Sequence, residues 1–147
     1  MRLDEETYRE ANHKLLNWGR HVNDGWLRNN LLFTPPPTSE GYVAPFYDPA
    51  ERSPYPIDEL DAELSERVVI RIGTTPGQFD FYRALVYWYP HLMLLRFEGT
   101  ELTHDQSLKR LSRYLRCSFD GARRILDDAV HAYWFTRLTL RSAGTPE

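Results

Sequence analysis

The sequence predicts an all-α protein, with a compact helical domain, a C-terminal helix-turn-helix and a Pro-rich connecting arm. Apolar residues recur at spacings of three and four along most of the chain, as they do on one face of a helix. Seven of the ten prolines lie between Thr34 and Pro56. Two amphipathic segments between Thr103 and Trp134 are separated by a short turn with capping residues. We expect residues 1–33 to form an N-terminal helical segment, 34–57 the arm, and 58–147 a helical body that folds as one unit with 1–33.

The N-terminal segment predicts one amphipathic helix from Asp4 to Trp18. Its apolar face is formed by Tyr8, Ala11, Leu15 and Trp18. Gly19 is expected to end or bend this helix, and a weaker helical pattern then continues to Leu31.

The arm is predicted from its prolines, which fix φ and disfavour helix at the preceding residue. Its aromatic residues offer apolar surface to bury: Tyr42, Phe46, Tyr47 and Tyr55. Such a segment can be a ligand for an aromatic groove, but a strap packed over the helices is commoner.

A middle helix is predicted from Asp58 to Ile72, with Leu60, Leu64, Val68 and Ile72 on one face. Its first half is strongly acidic, which is favourable at a helix N-terminus. The carboxylates are too dispersed around the helix for a metal site. They form either a solvated face or a docking surface for a basic partner.

The next helix is expected to begin with Thr75 as cap and Pro76 at its first position. Pro90 then interrupts it, and a short helix from His91 to Phe97 follows.

The predicted helix-turn-helix, residues 103–134, begins with a capping box formed by Thr103 and Gln106. The first helix carries Leu108, Leu111 and Leu115 on one face, and Ser112 is the small residue where the two helices cross. Ser118 is expected to cap the second helix. That helix buries Ala122, Ile125, Ala129 and Val130. Arg116 stands where many such motifs have glycine.

If the two helices pack in this way, the second presents Phe119, Asp120, Arg123, Arg124 and Asp127 outward. Neighbouring arginines suit guanine edges and phosphate oxygens. Between Thr103 and Leu126 there are six basic and two acidic residues, a local charge of +4 in a chain of net charge −3. A basic island in an acidic protein is typical of a nucleic-acid contact. The alternative is an ordinary helical hairpin without a ligand.

Other classes of function have little support in the sequence. The chain has 147 residues and a single cysteine, Cys117, which excludes an internal disulfide, fits a reducing cytosol and is expected to be buried. The longest uncharged run, Ala84 to Leu95, is 12 residues and too short to cross a bilayer. No secretory signal follows Met1. The histidines lack metal-ligand spacing, and no phosphate loop or nucleophile motif is present. We therefore expect a soluble protein that is not an enzyme and has no metal or cofactor.

Three short blocks resemble the antitermination protein Q family of tailed phages, in the branch with a sigma-region-4-like DNA-binding module. They are Asn17-Trp18-Gly19-Arg20, Asp61-Ala62-Glu63-Leu64, and the segment from Leu108 to Ile125 followed by Leu126-Asp127-Asp128-Ala129.

The resemblance implies a protein of the host bacterial cytoplasm that binds double-stranded DNA at a late promoter. It implies that the protein loads onto the RNA polymerase holoenzyme, including its sigma factor, with the nascent RNA nearby. The polymerase would then read through terminators. By this resemblance the DNA-reading residues are Ser118, Phe119, Asp120, Arg123 and Arg124. Residues that hold phosphates or touch polymerase are Lys109, Arg110 and Arg113, with Arg116 beside them at the turn. The residues facing polymerase are Trp18, Arg20, Asp61 and Glu63.

Two other functions fit the same features. One is a sigma-like activator of phage late genes that has no role in elongation. The other is the DNA-recognition subunit of a phage packaging complex, which assembles as a ring.

Overall fold

The computed structural model describes residues 2–33, 57–92 and 102–142, and within these ranges all regular structure is helical. The predicted all-α class is therefore confirmed. The elements are α1 (Glu5–Phe33), α2 (Glu59–Thr74), α3 (Phe79–Val86), a π-helical segment (Tyr87–His91), α4 (His104–Leu115) and α5 (Phe119–Ser142). The predicted Pro-rich arm lies outside the described residues up to position 56. Most of the short helix predicted after Pro90 and the last five residues also lie outside them.

Helix α5 is the central element, because it packs against α1, α2, α3 and α4. One face of α5 is buried along most of its length. The spacing of its residues is that of a single helix face: Ala122, Leu126, Ala129, Val130, Tyr133 and Arg137. Helix α5 runs unbroken from Phe119 to Ser142. The helix that follows Ser118 is thus also the element around which the hydrophobic core is packed.

Helix α1 does not end at Gly19, so the expectation that the helix terminates there is wrong. Its 29 residues continue to Phe33, although glycine in a helix interior costs roughly 0.5–1 kcal/mol relative to alanine. Gly19 is buried beside Trp18, and tertiary packing offsets its weak propensity. The other apolar residues expected on this face, Ala11 and Leu15, are fully buried.

Helix α2 confirms the predicted face except at its first residue, and Leu64 is partly buried against the core. Val68 and Ile72 are buried as expected, but Leu60 is 80 % exposed. The buried stripe is Ala62, Ser65, Val68, Val69 and Ile72. Residues four apart are rotated by about 40° on an α-helix. Leu60 and Ile72 are separated by three such intervals, so they do not lie on the same face of α2. Packing against α1 and α5 selects the stripe that contains the small residues.

Thr75 and Pro76 do not start the next helix. The Thr75 N–H and hydroxyl both donate backwards, to the carbonyls of Ile72 (3.2 Å) and Arg71 (2.7 Å), so Thr75 terminates α2. Gly77 then adopts a positive φ of 84°, a conformation in which side chains other than glycine are strained. Helix α3 begins only at Phe79.

Pro90 is accommodated by a wider turn rather than by a break. It lies inside the π-helical segment, where the Leu92 N–H reaches back to the carbonyl of Tyr87. This spacing gives room for the proline ring, which would clash in a regular α-helix. Two asparagines of α1 hold the segment: Asn23 donates to the Pro90 carbonyl (2.9 Å), and Asn12 accepts from the Tyr89 hydroxyl (2.7 Å).

Candidate nucleic-acid interface

Helix α4 begins with the predicted capping box. The Gln106 N–H donates to the Thr103 hydroxyl (3.1 Å), and the Thr103 N–H donates to the Gln106 side-chain oxygen (2.9 Å). The predicted inner face is also confirmed, since Leu108, Leu111 and Leu115 are all buried. The start and orientation of α4 therefore follow from local sequence. Its basic residues are on the exposed side: Lys109, Arg110 and Arg113.

The turn after α4 is closed by backbone hydrogen bonds around Arg116. The Arg116 N–H donates to the Arg113 carbonyl (3.2 Å), and the Cys117 N–H donates to the Ser112 carbonyl (3.0 Å). This is the pattern of a Schellman motif, in which the residue at the position of Arg116 is left-handed and is usually glycine. Arg116 has φ 58° and ψ 50°. The turn is therefore tight despite the arginine, and the Arg116 side chain is exposed.

Ser118 caps helix α5 as predicted. Its hydroxyl accepts the Gly121 N–H (3.0 Å), and its carbonyl accepts the Ala122 N–H (2.8 Å). Ala122 is fully buried, but Ile125 is only half-buried, and Leu126 completes the inner face instead. Ser112, expected where the helices cross, is half-buried, and its hydroxyl donates to the Lys109 carbonyl (2.7 Å). Cys117 is half-buried against the core.

The outer face of the first turns of α5 carries four charged residues. Asp120, Arg123 and Arg124 are exposed, Asp127 is half-buried, and together they line one shallow surface depression. An ion pair joins Arg123 to Asp120 (3.2 Å), with both side chains more than 60 % exposed. Such exposed pairs contribute at most about 1 kcal/mol, so Arg123 can exchange this partner for another. Arg124 makes no ion pair with any described residue.

Phe119 does not belong to this outer face. It is half-buried and packs against the core cluster, so its predicted outward position is wrong. An aromatic ring at the first position of a capped helix can fold back onto the body and remove apolar surface from water. Phe119 therefore anchors the start of α5, and the polar residues that follow it stay exposed.

Asp127 is also bound by a residue from the other end of the chain. The Arg2 guanidinium donates to its carboxylate at 2.6 Å, across 125 positions of sequence. The His131 ring, on the next turn of α5, bonds the Asp127 carbonyl at 2.8 Å. Sequence reasoning missed Arg2 because no periodicity or motif relates a residue before the first helix to the last helix.

Two of the four residues predicted to face polymerase, Trp18 and Asp61, are engaged in contacts between helices. Trp18 is 3 % exposed, and its indole N–H donates to Glu66 (2.7 Å). Asp61 accepts hydrogen bonds from Arg137 and from Lys14 (3.4 Å). The Trp18 indole and the Asp61 carboxylate therefore contribute to the packing of helices. The prediction that these two residues face polymerase is wrong.

The other two predicted polymerase-facing residues differ in exposure. Glu63 lies on the exposed side of α2. Arg20 is half-buried, and burial lowers the pKa of its guanidinium group. Of the four, only Glu63 is therefore exposed.

The acidic start of α2 contacts α1, while the side chains of Asp58, Glu59 and Glu63 remain exposed. The Asn17 side chain pairs with the Asp58 backbone in both directions, at 3.0 and 2.9 Å. His21 lies 2.9 Å from the Glu59 carboxylate. The Asn17 and Asp61 sequence blocks are therefore neighbours in space, and their residue types are explained by the contact between α1 and α2.

Comparison with known proteins gives no independent indication of function. No known protein family, curated protein or solved structure matches the chain. In the part of the chain that the structure describes, no group of three or more potential metal ligands is present. None of the described helices is long and apolar enough to cross a membrane.

Proposed function

We propose that the protein binds double-stranded DNA through a helix-turn-helix formed by α4 and α5. The observation that carries this proposal is the exposure of Arg123 and Arg124 at the start of a helix whose opposite face is fully anchored. A recognition helix needs both properties, because its first turns must enter the major groove while its other face holds it rigid.

The residues of the α5 face suit base edges better than phosphates. Two arginines lie between two aspartates there, so the face is close to neutral. Arginine can donate two hydrogen bonds to guanine, and a carboxylate can accept one from the cytosine amino group. Nonspecific attraction to the backbone would then come from α4 and the turn, where four basic side chains are exposed: Lys109, Arg110, Arg113 and Arg116.

If α5 contacts bases while α4 and the turn contact phosphates, we expect DNA binding that is modest and strongly salt-dependent. Each phosphate contact contributes a slope of roughly −0.9 to the log–log dependence of affinity on salt concentration. A handful of contacts gives a weak complex at physiological salt, so a second partner is needed for stable loading.

We propose that this second partner is bacterial RNA polymerase with its sigma factor, and that the protein is a phage late-gene antitermination factor. The support for this finer function is the resemblance in three sequence blocks to the antitermination protein Q family. The spatial adjacency of two blocks explains their residue types through α1–α2 packing, so a polymerase-contacting surface would involve exposed neighbours such as Glu63 rather than Trp18 or Asp61.

DNA binding is tested by titrating duplex late-promoter fragments with the wild type and with Arg123→Ala and Arg124→Ala. Each substitution is expected to weaken binding by about 1–3 kcal/mol, or roughly 5- to 150-fold. The control is Arg67→Ala, which removes the same charge from the exposed side of α2. Affinities that fall equally in all three variants, or in none, would contradict the proposed reading face.

The elongation function is tested by in vitro transcription from a late promoter through a terminator. We expect added protein to raise read-through only on templates that carry its binding element. More initiation with unchanged termination would instead indicate the sigma-like activator. A large closed ring in light scattering would indicate the packaging subunit.

A further inference from the structure

The proposed DNA-reading face of α5 is continued by a residue that precedes α1. Arg2 binds the Asp127 carboxylate at 2.6 Å, and Asp127 is one of the four charged residues that form this face. The Arg2 side chain is 71 % exposed. A guanidinium group has five N–H donors, so Arg2 keeps donors directed to solvent while it is held by Asp127.

The chain around Arg2 is positioned by two ordered elements. Asp4 caps α1, with its carboxylate accepting the Thr7 N–H (2.7 Å) and its carbonyl accepting the Tyr8 N–H (2.9 Å). Helix α1 in turn packs against α5. Arg2 is thus only two residues from the cap of a helix that packs against α5.

The charge balance of the α5 face gives Arg2 a function. Asp120, Arg123, Arg124 and Asp127 sum to no net charge, and an unpaired Asp127 would repel a phosphate. Arg2 neutralises that carboxylate and makes the combined surface positive. A bidentate, planar cation with free donors at the edge of a reading face is suited to a backbone phosphate.

We propose that Arg2 is a phosphate contact of the bound duplex and that Asp127 is the residue that positions it. This inference rests on the proposed DNA-binding function, and it extends the contact surface from α4 and α5 to the segment before α1. Asp127 then acts on DNA binding through Arg2 rather than through a base.

Arg9 is the matched control for the charge of Arg2. It lines the same groove as Arg2 and Asp127, but it pairs with Glu5 (3.6 Å), and both side chains of that pair are more than 70 % exposed. Arg9→Ala and Arg2→Ala therefore remove the same charge from the same end of the molecule. Only Arg2→Ala removes the contact with Asp127.

The experiment measures duplex affinity by fluorescence anisotropy over a series of salt concentrations, with thermal unfolding of each variant as a check of folding. Arg2→Ala is expected to weaken binding and to reduce the magnitude of the log–log salt slope by about 0.9, while Arg9→Ala leaves the slope unchanged. Arg2→Lys is expected to retain the slope.

Asp127→Asn tests whether Asp127 positions Arg2, because the two alternatives predict opposite changes in DNA affinity. Removing a negative charge would strengthen DNA binding on electrostatic grounds alone. If Asp127 positions Arg2, Asp127→Asn instead weakens binding, and this loss disappears when Arg2 is already alanine.

Equal slopes for wild type and Arg2→Ala, equal effects of Arg2→Ala and Arg9→Ala, or tighter binding by Asp127→Asn would each overturn this inference. If Arg124→Ala loses affinity in the same series, the proposed function survives that result. If the wild type does not bind duplex DNA, or Arg124→Ala binds as tightly as the wild type, the proposed function fails as well.

Discussion

Arg137 of α5 and Asp61 of α2 form an ion pair in the interior of the helical body. Arg137 is 4 % exposed, and it also donates to the Tyr133 hydroxyl (3.1 Å). Ser65 completes the group, with its hydroxyl 2.7 Å from that of Tyr133. A buried guanidinium group is tolerated only when its donors are satisfied in this way.

We expect Asp61→Asn to destabilise the protein strongly. The substitution leaves the buried Arg137 without a counter-charge, and breaking a buried pair from one side typically costs about 3–5 kcal/mol. The free energy of unfolding is measured by denaturant titration. Glu63→Gln is the matched control on the exposed side of α2 and should stay within about 0.5 kcal/mol of the wild type. Similar stabilities of the two variants would contradict the assigned packing of Asp61.

Leu111→Ala and Leu60→Ala should differ in their effects on stability. Leu111 is fully buried, and truncation of such a leucine costs about 2–5 kcal/mol through lost burial and a residual cavity. Leu60 is 80 % exposed, so its truncation should change stability by less than about 0.5 kcal/mol. Thermal and denaturant unfolding measure both. Strong destabilisation by Leu60→Ala would restore the helix face expected from the sequence.

Arg116→Gly is expected to stabilise the fold by about 1 kcal/mol. A residue with a side chain in the left-handed conformation is strained by roughly 1–2 kcal/mol, and the greater unfolded-state freedom of glycine offsets part of the gain. The comparison variant is Arg110→Gly, which lies within α4 and should destabilise by about 0.5–1 kcal/mol. A lower unfolding midpoint for Arg116→Gly would contradict the left-handed turn.

Stability should fall as the pH rises above about 10 because several tyrosines resist ionisation in the fold. Burial, followed by the charge of Asp127, raises the pKa of Tyr8 to about 12. Burial also raises the pKa values of Tyr89 and Tyr133 above their ordinary value of 10.0. The unfolded chain loses these protons first, so the contribution is complete below pH 10 and is lost as the pH rises through the folded pKa values.

Unfolding midpoints measured between about pH 8 and pH 12 test this dependence, with tyrosinate absorbance as a second readout. Tyr89→Phe should reduce the alkaline loss of stability, although it also removes the hydrogen bond to Asn12. Tyr114→Phe is the control, since Tyr114 is 41 % exposed. A pH dependence that is the same in wild type and Tyr89→Phe would show that this hydroxyl ionises freely in the fold.

The elements at the C-terminal half were predictable because their determinants are close in sequence. The capping box of Thr103 and Gln106, the leucine face of α4 and the cap at Ser118 each involve residues within one or two helical turns. The exposure of Arg123 and Arg124 follows from the same periodicity, because Ala122 and Ala129 occupy the opposite side.

The predictions at Gly19, Leu60 and Phe119 were wrong for a common reason. In each case the local preference is weak, a fraction of a kcal/mol to about 1 kcal/mol, and burial against another helix outweighs it. Gly19 continues a helix because its neighbourhood is buried, and Leu60 is exposed because α2 turns its small residues to α5.

By itself, the sequence determined the helical class, the two capped helices and the basic character of the segment between Thr103 and Leu126. Only the tertiary structure decided that Asp61 pairs with Arg137, that Trp18 is internal, and that Arg2 reaches Asp127. Helix periodicity and capping act over a few residues and can be read locally. Contacts across 76 or 125 positions depend on how whole helices pack, and no local pattern specifies which faces will meet.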